Sequence, residues 1–396
     1  MSIQTEPIAT PTDCLIIGAG IAGLVAALSF ERLGYNVRIL EKAARLDEAG
    51  AGIQLSPNAT SILSALGVLE PLLQHATIVQ SIDLCDGKSG KTLLALPAGD
   101  ATKDAPFLSV HRADLQKVLL ETLRQKAGIR LHLACQVQSI GNASGTKIVT
   151  FMQNDDVRSF STPLIIGADG IRSGTRRLVS AAPPEYSGFT ALRATVDLAD
   201  FPEQVCDVFK RPVVRAFVQA KSHLVAYPIS GGQKVNLVLI VKTPLGSAAP
   251  AGTSAKFGGS LQLIIDGVHE WTSWPLNTVD ATKPWTDGKN MALIGDAAHA
   301  MLPFAAQGAV MAIEDGFVLA QSVLEHAGDI PKALRDFEIH RRSRVLKVIK
   351  RAKLNRFAYH AWGPVAMARN LVFKLRGPAL MDSLGWLYDY RAPGTD

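Results

Sequence analysis

The chain has 396 residues, 47% of them hydrophobic and 19% charged. That composition describes two or three globular lobes and excludes a mainly disordered protein. With 41 Lys and Arg against 35 Asp and Glu, the net charge is +6, which suits small anionic ligands and does not call for a nucleic-acid surface. Cys14, Cys85, Cys135 and Cys206 are scattered with no CxxC pair, so neither a disulfide framework nor a cysteine zinc site is expected, and a reducing, cytoplasmic setting is.

Met1–Asp13 is short and polar, without the basic start and apolar run of a signal peptide. No window reaches the roughly 18 consecutive apolar residues that a membrane span needs; Val365–Leu375 is interrupted by Arg369, Asn370 and Lys374. The fold is expected to begin near Asp13. Cys14–Ile17 is an apolar run of the kind buried on both faces of a sheet. It enters Gly18-Ala19-Gly20-Ile21-Ala22-Gly23 and a helix carrying Leu24, Val25, Leu28 and Leu33. Gly34 stops that helix, and Asn36–Leu40 forms a second strand closing on Glu41, which completes a βαβ unit.

Further along, Pro57 to Leu66 reads as a helix with an early Pro and Gly67 as its stop. Val79 to Leu96 is a strand-rich excursion, Asp114–Gln125 a helix, and Ile129–Cys135 with Gln136–Ile140 strands. Leu164–Ile166 is another buried strand, ending at Gly167-Ala168-Asp169-Gly170. From Pro183 to about Asp280 the shorter period predicts an antiparallel sheet on a different domain. Met291–Ile294 returns to the buried-strand style, and everything after Pro331 reads as helical.

The first Gly-rich segment is a GxGxxG in its proper context. Gly18 permits the tight turn, Gly20 lets a pyrophosphate approach the backbone, and Gly23 allows close helix–strand packing. The helix N-terminus offers unpaired N–H groups to phosphate. Glu41, at the end of the second strand, can accept from ribose hydroxyls and favours FAD or NAD over NADP. Gly295-Asp296-Ala297-Ala298-His299 follows another apolar strand and continues through Pro303, Gln307-Gly308 and Ile313-Glu314-Asp315. A carboxylate at Asp296 can accept from a ribityl hydroxyl, while the following N–H groups face a flavin ring. The plain alternative for Gly-Asp alone is an ordinary strand-to-helix turn.

In their order and spacing, Gly18–Gly23, Gly167–Gly170 and Gly295–Gln307 resemble the single-component flavoprotein aromatic hydroxylases along nearly the whole chain. Gly50–Ile53, Pro57-Asn58-Ala59 and Ala306–Ala309 are most similar to the salicylate hydroxylase-like branch, whose members act on salicylate, 3-hydroxybenzoate and 6-hydroxynicotinate. The resemblance implies an α/β fold with a p-hydroxybenzoate hydroxylase-like, three-layer Rossmann-type FAD domain. That domain would take residues 1–78, 97–182 and 281–330. A discontinuous antiparallel-sheet substrate domain would take 79–96 and 183–280, and a helical tail 331–396.

It also implies site roles. Gly18, Gly20, Gly23, Glu41 and the adjacent Lys42 would hold the ADP part of non-covalent FAD, with Val137 at the adenine and Gly52 also on the cofactor. Arg112 would reach the phosphate and ribityl region, Asp296 the ribityl chain, and Gly308 the isoalloxazine. Asp169 and Arg172 belong to a motif tied to both FAD and NAD(P)H, with an internal salt bridge the other role for Arg172. His299 reads as structural, and no His pair has metal-ligand spacing.

For substrate chemistry, His223 and Tyr227 lie four positions apart on a strand and share a face. His223 can take a phenolic proton and Tyr227 can donate a hydrogen bond; the alternative is a sheet His and Tyr satisfied by their neighbours. Gln54, Arg215 and Pro303 complete the expected pocket, and the basic residues Arg193 and Arg215 of the substrate domain favour a carboxylate on the substrate. Gln54 stands where pyridine-hydroxylating relatives carry His, and Pro303 where a 3-hydroxybenzoate-type relative has Gln; both departures count against those substrates.

The expected activity is hydroxylation of a small, anionic hydroxyaromatic with transient NADH or NADPH and O2, through a flavin C4a-hydroperoxide. It would be carried out by a monomer or homodimer without an integral membrane segment. Rival readings are a hydroxylase or epoxidase of a larger apolar substrate at a membrane surface, and a flavin-binding sensor without turnover. Arg341 to Arg356 holds eight basic residues and no acid. It reads as a helix packed on one face with its cations solvated, or else as a contact for anionic lipid or for NAD(P)H phosphates.

Overall fold

Cys14–Ile17 runs through the middle of a five-stranded parallel sheet, and all four residues are buried. In this computed structural model, which describes residues 13–46, 51–98, 105–143, 145–180, 182–201, 203–244, 256–258 and 260–395, the strand order is Met291–Leu293, Ile165–Gly167, Cys14–Ile17, Val37–Leu40, Ile129–His132. Alternation along the central strand sends its side chains to two different layers. Cys14 and Ile16 pack with Leu24, Leu28 and Phe317 of the helices. Leu15 and Ile17 meet Val149 and Phe151 of a three-stranded antiparallel sheet formed by Cys135–Ala143, Thr146–Gln153 and Asp156–Thr162. Helices, parallel sheet and antiparallel sheet are thus three layers of one α/β fold.

The glycines at the strand-to-helix turn are sterically required. Gly18 has φ +107°, and a Cβ there would lie 2.4 Å from the Ala168 carbonyl oxygen. A Cβ on Gly23 would lie 2.0 Å from the Gly18 carbonyl oxygen. Helix Ile21–Arg32 can therefore lie directly on the sheet.

A seven-stranded sheet stands beside this unit, in the order Thr272–Thr278, Glu185–Asp197, Lys234–Lys242, Ser222–Ile229, Val213–Gln219, Ser81–Asp86, Thr92–Pro97. The sequence pattern leads one to expect an antiparallel sheet, but Val213–Gln219 pairs in parallel with Ser81–Asp86. Those two strands are joined by a long excursion through the other layers, and a crossover of that length permits parallel pairing where a hairpin does not. The stretch expected as pure sheet also contains helices Glu203–Phe209 and Ser260–Asp266. Phe209, Leu261, Ile264 and Ile265 cover one face of the sheet, against Leu192, Leu224, Leu237 and Leu239.

The C-terminal region is helical, with Ile330–Tyr359, Gly363–Asp382 and Gly385–Tyr388. No helix among the described residues is long and apolar enough to cross a membrane. The basic helix departs from a simple solvated face. Arg341 is fully buried, its Nε donating to Asp315 Oδ1 at 2.8 Å and its Nη1 pairing with Glu314 Oε2. Arg344 holds the same Glu314 carboxylate through Nε at 2.7 Å and Nη2 at 2.8 Å. These acids sit on helix Gly308–Glu325, so the ion pairs bolt the long helix to the three-layer unit.

Burial alone would raise the Asp315 carboxyl, but the neighbouring His299 and Arg341 bring it down to about 2. A carboxylate depressed on folding adds stability that is complete above its unfolded value, about 3.9, and is lost as pH falls toward the folded value. Asp315→Asn should therefore flatten the acid-side fall in melting temperature between about pH 5 and 2. It should also lower the melting temperature at neutral pH, since breaking one partner of a buried pair costs about 3–5 kcal/mol. Thermal melts across that range check both; an unchanged acid limb contradicts this role.

Candidate active site

A continuous cleft runs between the Gly-rich end of the parallel sheet and the uncovered face of the seven-stranded sheet. At one end, Gly20 caps helix Ile21–Arg32, and the space a Cβ would take there is open. Glu41 supports this turn from beneath, accepting from the Ala19 N–H at 2.7 Å and the Ala43 N–H at 2.8 Å through different oxygens. Each oxygen keeps a lone pair for a ribose hydroxyl. Lys42 follows it, exposed. Val137 does not line the cleft; its strand runs alongside, where the Cys135 N–H donates to the Glu41 carbonyl at 2.8 Å.

Midway, Arg112 opens helix Arg112–Arg124 on the cleft wall. Asp296 stands exposed in the cleft, while Ala297, Ala298 and His299 behind it are buried. Asp315 fixes that orientation, accepting from the Gly295 N–H at 2.9 Å and holding His299 Nε2 at 2.5 Å. Gly308 begins the 18-residue helix Gly308–Glu325 and has open space where a Cβ would lie. Two helix N-termini, an outward carboxylate and an arginine line one groove, with glycines where a ligand must touch backbone. The donor set fits the phosphates, ribityl chain and ring edge of FAD.

At the other end, strand register builds the floor in rows. Ala191, Ile240, His223 and Val218 form one row; Arg193, Val238, Val225 and Ala216 the next; and Thr195, Asn236 and Tyr227 a third. With a period of two, all three rows share the face toward the cleft, and Arg193, His223 and Tyr227 all line it. His223 is 1% exposed and lies within 5.1 Å of the Phe304 ring and 5.2 Å of the Tyr359 ring, centroid to centroid. Burial, and then the adjacent His360, push its imidazole well below the usual value. Burial raises the Tyr227 phenol, with Arg193 acting weakly against it. Arg193 makes no ion pair among the described residues, and its Nε is buried without a hydrogen-bond partner. Its guanidinium lies 5.8 Å from the Trp274 ring centroid, and burial works against its charge.

The cleft therefore brings together Gly20, Gly52, Gln54, Arg112, His223, Tyr227, Asp296, Pro303 and Gly308. Several expectations need correction. Arg215 does not reach the pocket: it pairs with Ala226, in the row of Leu237 and Ala194, on the helix-covered face, with its guanidinium 5.9 Å from the Phe209 ring. Asp169 spends its carboxylate on its own loop. It accepts from Ser173 Oγ and Thr175 Oγ1 on one oxygen and from the Gly174 and Thr175 N–H groups on the other. Four bonds saturate it, so it shapes the loop that puts Ala168 and Gly170 in the cleft wall. Arg172 is exposed and makes no internal salt bridge among the described residues. Arg176 is the arginine turned inward, donating to the carbonyls of Ala297, Ile171 and Ala182.

Gly52 belongs to a contact between layers. Its N–H donates to Asn236 Oδ1 at 2.6 Å, and a Cβ would sit 2.8 Å from Tyr227 Cε2. Gly50 lies outside the described residues. Of the two basic residues that the sequence offers to a substrate anion, Arg193 and Arg215, Arg193 alone lines the cleft; sequence reasoning passed over Arg176 and His360. For Arg193, the available signal was the even spacing of strand positions.

Residues 11–352 match the FAD binding domain family, FAD_binding_3. The chain is 31% identical over 393 residues to 3-hydroxybenzoate 6-hydroxylase of Polaromonas naphthalenivorans (strain CJ2), covering 95% of each chain. It is also 31% identical over 394 residues to a 3-amino-4-hydroxybenzoate 2-monooxygenase of Streptomyces platensis, covering 95% of this chain and 96% of the relative. The fold superposes on a salicylate hydroxylase substrate complex with TM-score 0.77 at 23% identity, over 97% of each chain.

Purified protein should be yellow and release free FAD on heating. In Asp296→Ala, FAD affinity should fall about 10- to 100-fold, the worth of a charge-assisted hydrogen bond of about 1.5–3 kcal/mol. Titration of the apoprotein with FAD, followed by flavin fluorescence, checks this. Wild-type affinity in the variant contradicts the assignment.

Proposed function

Because the chain belongs to the FAD binding domain family, among the FAD-dependent aromatic hydroxylases, we propose that it hydroxylates a small hydroxybenzoate-like anion in the cytoplasm with NAD(P)H and O2. The observation that carries this reading is the row order on the cleft floor, where Arg193 stands between His223 and Tyr227. A monocyclic ring can set its carboxylate against a guanidinium that makes no ion pair among the described residues, and its phenol against a neutral imidazole one row away.

Gly20, Arg112, Asp296 and Gly308 would hold FAD, which when bound would supply electron transfer from NAD(P)H to O2 and the activation of oxygen. The protein's own residues prepare the ring. His223 Nδ1 is taken by His360, which leaves Nε2 to accept the phenolic proton and make the ring electron-rich. Tyr227 stays protonated across the physiological range and serves as a donor. Phe304, Val238 and Ile240 line the same space with apolar groups and exclude water.

An unperturbed His would impose an ionisation near 6.5. Because burial depresses His223, the base is already neutral at neutral pH, and activity should fall only on the acid side of that value.

A panel of hydroxybenzoates and hydroxypyridines, scored as NAD(P)H oxidation minus peroxide release, tests the proposal. Salicylate-type anions should give hydroxylated product. Arg193→Gln should raise KM for carboxylated phenols about tenfold or more while sparing neutral phenols. His223→Ala should lower the hydroxylation rate about 10²–10⁴-fold with flavin binding intact. Turnover of a bulky polyprenyl phenol with no response to hydroxybenzoates contradicts the proposal, as does NAD(P)H oxidation that no aromatic stimulates.

A further inference from the structure

His223 and His360 come from elements 137 residues apart, yet Nδ1 of one lies 2.9 Å from Nε2 of the other. His223 is on the cleft floor. His360 follows the last turn of helix Ile330–Tyr359, its N–H donating to the Arg356 carbonyl. It is only partly buried and does not line the cleft. The second imidazole thus stands behind the first, on the way from the cleft to the surface. Around the pair are Phe304 from the turn Pro303–Ala305, Phe189 from strand Glu185–Asp197, and Tyr359 and Arg356 from the long helix. Arg356 is the one charged group among these, and Tyr359, whose phenol burial raises to about 12, is the one other titratable group.

From this geometry we infer that His360 is the relay through which a proton taken from the substrate by His223 leaves the cleft. The inference rests on the proposed role of His223 and deepens it. His223 is enclosed by aromatic rings and cannot hold an imidazolium cheaply. A base in that position works repeatedly only if its proton is handed on.

The transfer balances without any further reactant. The phenolic O–H bond breaks as N–H forms at His223 Nε2. His223 Nδ1–H passes to His360 Nε2, and His360 Nδ1–H is released to water. Both rings end neutral with their tautomers exchanged, the phenolate keeps the electron pair, and one proton enters solvent; the reverse passage returns a proton to the product phenol as it leaves and frees His223 Nε2 for the next cycle. Burial, with Arg356 adding to it, holds His360 down at about 4, so it releases the proton at neutral pH.

His360 touches no substrate in this scheme, so its test needs readouts that packing alone would not move. FAD-loaded wild type, His360→Gln and His360→Ala would be mixed anaerobically with salicylate or 3-hydroxybenzoate in weak buffer containing a pH-indicator dye. Ligand binding would be read from the flavin spectrum and turnover measured separately in air. Wild type should release a proton on binding. His360→Gln should bind within about threefold of wild type but release the proton, and turn over, about tenfold or more slowly. Added imidazole should restore both in His360→Ala.

Wild-type proton release and turnover in His360→Gln overturn the relay and leave the substrate assignment standing. Loss of ligand binding in both variants, with no rescue by imidazole, makes His360 a packing residue and likewise overturns it. A wild type that forms no hydroxylated product from any hydroxybenzoate overturns the proposed function instead.

Discussion

The site depends on a carboxylate that never touches it. Asp315 is fully buried and accepts from Arg341, His299 and the Gly295 N–H. Gly295 has φ +58°, which turns the chain sharply at the end of a buried strand and leaves its N–H pointing inward. Asp315 satisfies that group, and the same turn sends Asp296 outward into the cleft. The adjacent Glu314 extends the arrangement, accepting from Arg344 and from Asn58 Nδ2 at 2.6 Å. Two consecutive acids on one helix thereby fix the cofactor turn, helix Pro57–Ala65 and the long C-terminal helix relative to one another. Removing Arg341 leaves both buried carboxylates short of a cation, so the long helix and the turn are held through the same charges.

The position of the long helix has a second consequence, since it carries His360 to the back of His223. The cleft floor is organised by a different constraint, the two-residue period of strands. That period puts Arg193, His223 and Tyr227 on one face and Arg215 on the other. One face is covered by two short helices and holds an apolar core. The other is left to the cleft, and there Arg193, without a carboxylate partner among the described residues, is the feature a substrate anion would complete.

The parts legible in sequence are those where local chemistry and fold coincide. Gly18, Gly23 and Glu41 could be read because a turn, a close approach and a strand-end acid are encoded within thirty residues. The place of Asp296 in the cleft could be read because the motif is contiguous. Arg215 was misassigned because charge alone does not say which face of a strand a residue takes, and only the register with Ala226 and Leu237 decides it. Asp169 looked like a ligand for the cofactor, but its four acceptor sites are filled by residues four to six positions ahead, a local competition invisible in the motif. The Asp315–Arg341 and His223–His360 pairs join residues 26 and 137 positions apart, and no periodicity reports such distances. The basic helix shows the same limit, since Arg341 belongs to the core and not to the solvated face its composition suggests.

The central claim is that the cleft floor orients an anionic phenol by its two ends. A crystal structure of the FAD-loaded protein with salicylate tests it most directly. The account predicts the carboxylate within hydrogen-bond distance of the Arg193 guanidinium and the phenolic oxygen facing His223 Nε2. A carboxylate bound away from Arg193, or a ring turned so that its phenol faces neither His223 nor Tyr227, would contradict it.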